Sequence, residues 1–102
     1  MPGAGEHARM SDPADAWLHI LIGQHVVVDL DQSYLVIGTL VDVDASHLAL
    51  ANADVHDHQE ANCTKEVYLL ETLKLGIRAN RKRVDIPRHR MLAVSRLEDV
   101  VP

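Results

Sequence analysis

The sequence contains no phenylalanine, and its aromatic content is only 3%. A core must therefore be assembled from Val, Leu, Ile and Ala, without the large area that aromatic rings bury. Such a chain has limited area to bury for its size, and oligomerisation is one usual remedy. The single cysteine, Cys63, excludes an intrachain disulfide and the stapled architecture of small secreted domains. No stretch approaches the roughly 18 consecutive apolar residues of a membrane span, so no membrane partner is expected. Met1-Pro2-Gly3-Ala4-Gly5-Glu6 lacks the basic start and apolar run of a signal peptide, and a cytoplasmic location is the corresponding expectation. No glycine-rich phosphate loop follows a strand, and Cys63 has no evident partner histidine. These absences point to a non-enzyme that uses no cofactor.

What is present is an ordinary globular mix of 47% apolar and 25% charged residues in 102, enough for one domain. The net charge of −5 hides an asymmetry. Residues 1–77 carry Arg9, Lys65 and Lys74 against twelve of the fifteen carboxylates. Residues 78–96 carry Arg78, Arg81, Lys82, Arg83, Arg88, Arg90 and Arg96 against Asp85 alone. Whole-chain charge argues against general DNA coating, while the local cluster leaves a confined anion site open. Taken alone, Arg78 to Arg83 read as solvated surface.

Residues 1–10 read as a flexible tail, followed by one domain over 11–102. Ser11 or Asp12 can cap a helix with Pro13 in its first turn. Trp17, Leu18, Leu21 and Ile22 repeat at helical spacing, which predicts a helix from Pro13 to Ile22. The period then changes to two. Val26 to Leu30 forms one strand, Tyr34 to Val43 a second bent at Gly38, and His47 to Ala51 a third, joined by hairpin-length turns. From Asn52 to Asn62 the pattern dissolves into polar residues. Thr64 to Leu75 reads as a helix, with Val67, Leu70 and Leu73 at helical spacing and Gly76 as its stop. Periodicity leaves a strand through Val67 to Leu70 open as the alternative. Ile77 to Arg83 is a basic connector. Val84 to Ile86 is a fourth strand, Pro87 to Arg90 a tight turn and Met91 to Ser95 a fifth strand, after which Leu97, Val100 and Val101 tuck back. The whole is mainly β with an N-terminal α-helix: a small SH3-type barrel of five bent antiparallel strands. A helix is inserted between strands three and four, so residues 54–83 hold that helix and the connector.

These segments resemble the Sm-like family (LSm and Hfq-type proteins). The first motif is matched by Val26-Val27-Val28-Asp29-Leu30, then Gly38-Thr39-Leu40-Val41-Asp42-Val43-Asp44, then Leu48-Ala49-Leu50. The second is matched by Val84-Asp85-Ile86-Pro87-Arg88-His89-Arg90-Met91-Leu92-Ala93-Val94. Two departures stand out. Ser46-His47 replaces the usual Met-Asn pair, and Pro87-Arg88 the usual Arg-Gly pair, with Arg88-His89 closer to the Lys-His pair of the bacterial chaperone.

The resemblance implies a homo-oligomeric ring in which Val84, Asp85 and Ile86 dock beside Met91, Leu92, Ala93 and Val94 of a neighbour. It also implies that two turns meet at the pore and hold single-stranded RNA, through Asp44, Ser46 and His47 on one side and Arg88, His89 and Arg90 on the other. Arg88 and Arg90 suit phosphate contacts or stacking, and His47 stands where Asn would read a base. Arg78, Arg81, Lys82 and Arg83 form a secondary basic patch. The alternative is a structural or protein-interaction ring without RNA, favoured by the acidic first 77 residues and the lack of an aromatic platform. His56-x-His58 with Asp57 and Cys63 falls short of the four spaced ligands of a structural zinc site and reads as a solvated loop, so no metal is expected. His19 and His25 read as surface or partly packed residues.

Overall fold

The valine and isoleucine runs extend into strands whose side chains are covered on both faces. The computed structural model describes residues 15–31, 34–57 and 64–102. The predicted tail, the caps Ser11 and Asp12, Pro13, and also His58 and Cys63 lie outside the described residues. A short helix α1 (Ala16–His19) leads into β1 (His25–Leu30), β2 (Tyr34–Val43) and β3 (His47–Asp57). Helix α2 (Lys65–Leu75) follows, then β4 (Arg81–Pro87), a 3₁₀ turn (Arg88–Arg90), β5 (Met91–Arg96) and a second 3₁₀ turn (Leu97–Asp99). The strands form one antiparallel sheet in the order β4-β3-β2-β1-β5.

Val26, Val28, Val36, Leu40, Leu48, Leu50 and Ile86 gather in the inner core beneath Leu18 of α1 and Leu21 in the turn that follows it. The alternate residues Val27, Leu35 and Ile37 point to the opposite face. There they join Leu97 under Tyr68, Leu69, Ile77 and Val100. Each such side chain, fully buried, contributes about 1.5–3 kcal/mol. This two-sided cover is why Val26-Val27-Val28 and Leu35-Val36-Ile37 show no polar alternation. The same runs in a sheet with one wet face would alternate.

Gly38 creates the bend. The β2–β3 register passes from Ile37↔Asp54 to Thr39↔Ala51, so Gly38 opposes both Asn52 and Ala53. Asn52 takes up the extra residue with φ +50°. This is a β-bulge, which raises local twist and lets the sheet curl. A Cβ on Gly38 would meet the Ala51 carbonyl oxygen and the Ala53 Cα and Cβ, each at 3.1 Å.

Several boundaries differ from expectation, each for a tertiary reason. The α-helical part of α1 runs only from Ala16 to His19, and Trp17 and Ile22 are exposed while Leu18 and Leu21 are buried. Strand β3 continues to Asp57 rather than ending at Ala51, because its polar half has partners. Asp54 is buried and accepts hydrogen bonds from the Tyr68 hydroxyl of α2 and from the Asn80 amide. Asn80 also accepts from the Val55 N–H (3.0 Å) and donates to the Val55 carbonyl (3.0 Å), so its side chain acts as one more rung of the ladder. Strand β4 begins at Arg81, so Arg81, Lys82 and Arg83 are strand residues rather than connector. The segment between β3 and β4 is therefore shorter than 54–83. Helix α2 forms as expected, with the Thr64 hydroxyl accepting from the Val67 N–H and Gly76 closing the end at φ +97°. Its expected stripe is turned outward, however: Val67 and Leu73 are exposed, and Tyr68, Leu69 and Thr72 face the sheet. Leu97 and Val100 tuck back, but Val101 is exposed.

The bulge makes a test. Gly38→Ala should lower stability by about 1–3 kcal/mol, the usual cost of overpacking against neighbours that cannot withdraw. Urea unfolding checks it: the midpoint falls in the variant, and an unchanged midpoint would show that the close approach is not a constraint.

Candidate functional site

The turn from β2 to β3 is built around one carboxylate. Asp44 Oδ1 accepts from the N–H of Ser46 (2.8 Å) and of His47 (2.8 Å), and from the Ser46 hydroxyl (3.1 Å). Those two backbone N–H groups, followed by the Ser46 hydroxyl and the nearby His47, hold the Asp44 carboxyl below the usual carboxylate range. His47 lies between two acids, with Nδ1 2.9 Å from Asp44 Oδ2 and Nε2 3.6 Å from Asp85 Oδ1. Its ring position is set by that pair.

The turn after β4 is fastened to the first. The Arg88 N–H donates to the Ser46 carbonyl at 2.9 Å. The Arg88 guanidinium donates to the Asp44 carbonyl at 2.9 Å and to Asp15 Oδ1 at 2.8 Å. The fork of Arg88 thus joins three segments far apart in sequence, a task suited to a rigid, multiply donating guanidinium. Arg88 and Asp15 are largely covered, with side chains 21% and 18% exposed. The hydrogen bond from Arg88 comes first among the causes that hold the Asp15 carboxyl below its ordinary range.

Structure therefore brings Asp44, Ser46, His47 and Arg88 together, as one surface at one end of the sheet. His89 and Arg90 are exposed on the same turn. Arg90 reaches Asp31 Oδ2 at 3.0 Å in a solvated pair. Arg88 differs from expectation: its guanidinium is engaged within the subunit rather than extended toward a ligand. Of the acids that engage these cations, Asp15 and Asp31 escaped sequence reasoning, and Asp85 was expected only at the ring interface. No local pattern announces an Asp15–Arg88 pair separated by most of the chain.

The secondary basic patch divides. Arg78 lies 5.1 Å over the Tyr68 ring and 4.0 Å from Glu71. Arg81 bonds the Asn80 carbonyl, Arg83 pairs with Asp85 at 3.3 Å, and Lys82 is exposed. The expected interface residues occupy the two strands that end the sheet, β4 and β5, which do not pair with each other. Ile86 is buried, Val84, Met91 and Val94 are half-buried, and Asp85, Leu92 and Ala93 are exposed. Beside β4 lies a cleft of about 280 Å³ lined by Leu30, Val36, Val55, Val84 and Ile86, with Arg90 at its margin. His56 stacks on Tyr68 with ring centroids 3.6 Å apart. Among the described residues no group of three or more His, Cys, Asp or Glu could hold a metal ion.

No family model and no curated protein matches the sequence. Solved structures do. The Pyrococcus abyssii Sm protein in complex with a uridine heptamer superposes with a TM-score of 0.57 at 20% identity, covering 84% of this chain and 99% of that chain. A heptameric archaeal Sm protein gives 0.51 at 21% identity over 85% of this chain and 98% of its own. A chain of the NatC complex bound to Gag peptide and CoA gives 0.51 at 22% identity over 76% and 86%. These likenesses define the architecture: the chain has the Sm-like fold, mainly β, with five antiparallel strands in one sheet and two α-helices among the described residues.

The Arg88 fork has a pH signature. Unfolded carboxyls of this type titrate near about 3.9, and a group depressed on folding contributes stability that is complete above that value. The contribution is lost as pH falls through the folded-state value. Asp15→Asn should therefore be less stable than wild type at neutral pH, and the two urea midpoints should converge as pH drops below about 4. A gap independent of pH would mean that the Asp15 charge is not what holds Arg88.

Proposed function

We propose that the chain assembles head-to-tail through the edges of β4 and β5 into a closed ring and holds single-stranded RNA on the surface made by the two joined turns. The observation that carries this reading is the lock between Arg88 and the Asp44–His47 turn, which presents both turns as one preformed surface. His47, His89 and Arg90 are the contact residues, and Arg88 is a positioning residue. The role is binding rather than catalysis. Support comes from the Sm proteins of the same fold, one a heptamer and one in complex with a uridine heptamer. Support for the ring comes also from its geometry: two unpaired edges at opposite ends of a sheet order are a heterologous pair that closes by rotation.

A second reading, a ring that engages protein instead of RNA, draws on one observation. His47, Arg88 and Arg90 each already face a carboxylate of the same subunit, which reduces the net positive potential offered to phosphate. The resemblance to a chain of the NatC complex is compatible with this alternative.

Two measurements separate the parts. Light scattering should give a mass of several subunits, and Leu92→Glu, which places a charge on the exposed outer edge of β5, should lower it while circular dichroism stays unchanged. A wild-type monomer, or an unaffected variant, contradicts the ring. Short oligo-uridine should bind with an affinity that falls steeply with salt as counterions are released. His89→Ala with Arg90→Ala should weaken binding about tenfold or more, roughly 1.4 kcal/mol, and flatten the salt slope. Absence of wild-type binding would favour the protein-interaction ring; an unaffected double variant would move the RNA elsewhere.

A further inference from the structure

Helix α2 has apolar residues on two faces, and the sheet uses only one. Tyr68 and Leu69 pack on the outer core, Thr72 is buried, and Lys65 of the same side bonds Asp29 at 2.8 Å. On the far side Val67 is 45% exposed, and Leu73, 42% exposed, sits at the margin of the packed side, where it also lines a cleft with Thr72, Ile77 and Leu97. Leu70 lies between them, half-buried and part of neither core cluster. At helical spacing these three form a continuous apolar stripe.

The stripe is symmetric about Leu70. Val67 and Leu73 stand three residues to either side, Glu66 and Lys74 four. Glu66 and Lys74 are both exposed, and among the described residues neither is in an ion pair. When two copies of this helix are laid antiparallel with Leu70 against Leu70, the apolar residues of one cover those of the other. Glu66 of each copy then stands level with Lys74 of its mate. The pattern is complementary to itself, as an isologous two-fold contact requires. A parallel arrangement would put Glu66 beside Glu66 and Lys74 beside Lys74.

We propose that α2 is a self-association surface, pairing antiparallel with α2 of a second copy across a two-fold axis at Leu70. The contact uses neither strand edge nor the joined turns, so it stands apart from the ring reading. An eleven-residue helix is about 16 Å long. One such pair buries less than the roughly 1,200 Å² of a standard interface. Its strength grows where several copies act together. In a ring, each subunit offers the same stripe, and the contact joins one ring to another; for a free chain it makes a weak, concentration-dependent dimer.

Light scattering over a concentration series tests this. Leu70→Glu alters a side chain outside both cores, so circular dichroism should match wild type while the mass of the assembly halves, from dimer to monomer or from paired rings to one. Glu66→Lys should also weaken association, and Glu66→Lys combined with Lys74→Glu should restore it, since the exchange recreates the pairing in reverse. In a Cys63→Ser background, Leu70→Cys should form an intermolecular disulfide under mild oxidation. Equal masses for wild type and Leu70→Glu, or a double exchange no better than Glu66→Lys alone, would overturn the proposal. The ring can fail its own test at Leu92 without affecting this one.

Discussion

The guanidinium of Arg88 ties Asp15 and the turn at Asp44 to the turn after β4, at the end of the sheet where the β3–β4 ladder already pairs His47 with Pro87. It donates to the carbonyl of Asp44 and the carboxylate of Asp15, and the backbone N–H of the same residue donates to the carbonyl of Ser46. That fork joins the two turns on which His47, His89 and Arg90 sit, while His47 is oriented by Asp44 and Asp85 and Arg90 pairs with Asp31. A lysine would offer a single charged point in its place and could not satisfy both acceptors with the same planar geometry. The residue with the most obvious charge for binding phosphate thus does structural work within the subunit.

A second constraint, the covering of both sheet faces, determines the rest of the architecture. The inner face is closed by α1, and the outer face needs α2 and the turn at Leu97 to keep Val27, Leu35 and Ile37 from water. Tyr68 anchors that cover. Its hydroxyl donates to buried Asp54, and burial followed by the hydrogen bond and charge of Asp54 pushes it up to about 12. The proton stays on the tyrosine throughout the ordinary pH range, which keeps the donor that Asp54 requires.

These two constraints explain which parts were legible in the sequence. Strand positions followed from β-branched runs and the turn residues between them, the bend from Gly38, and the limits of α2 from Thr64 and Gly76, because each signal acts within a few residues. The second half of β3 was not legible. Asn52 to Asp57 look like loop until Tyr68 and Asn80 supply partners for Asp54 and Val55. The buried face of α2 was not legible for the same reason: helical spacing picks out Val67, Leu70 and Leu73, whereas the face on the sheet is chosen by a tyrosine that has a carboxylate to reach. At the candidate surface, the residues of both turns were visible in the motifs, while Asp15 and Asp31 were not, since ion pairs across the fold leave no spacing to read.

The central claim is that Arg88 makes the two turns one rigid surface. Amide hydrogen exchange on wild type and Arg88→Lys tests it most directly. If the fork holds the turns together, exchange at the amides of Asp44 and of residue 88 accelerates in the variant, while protection along β1 and β2 is retained. Equal protection of both turns in the two proteins would contradict the account, because the turns would then keep their places without the guanidinium.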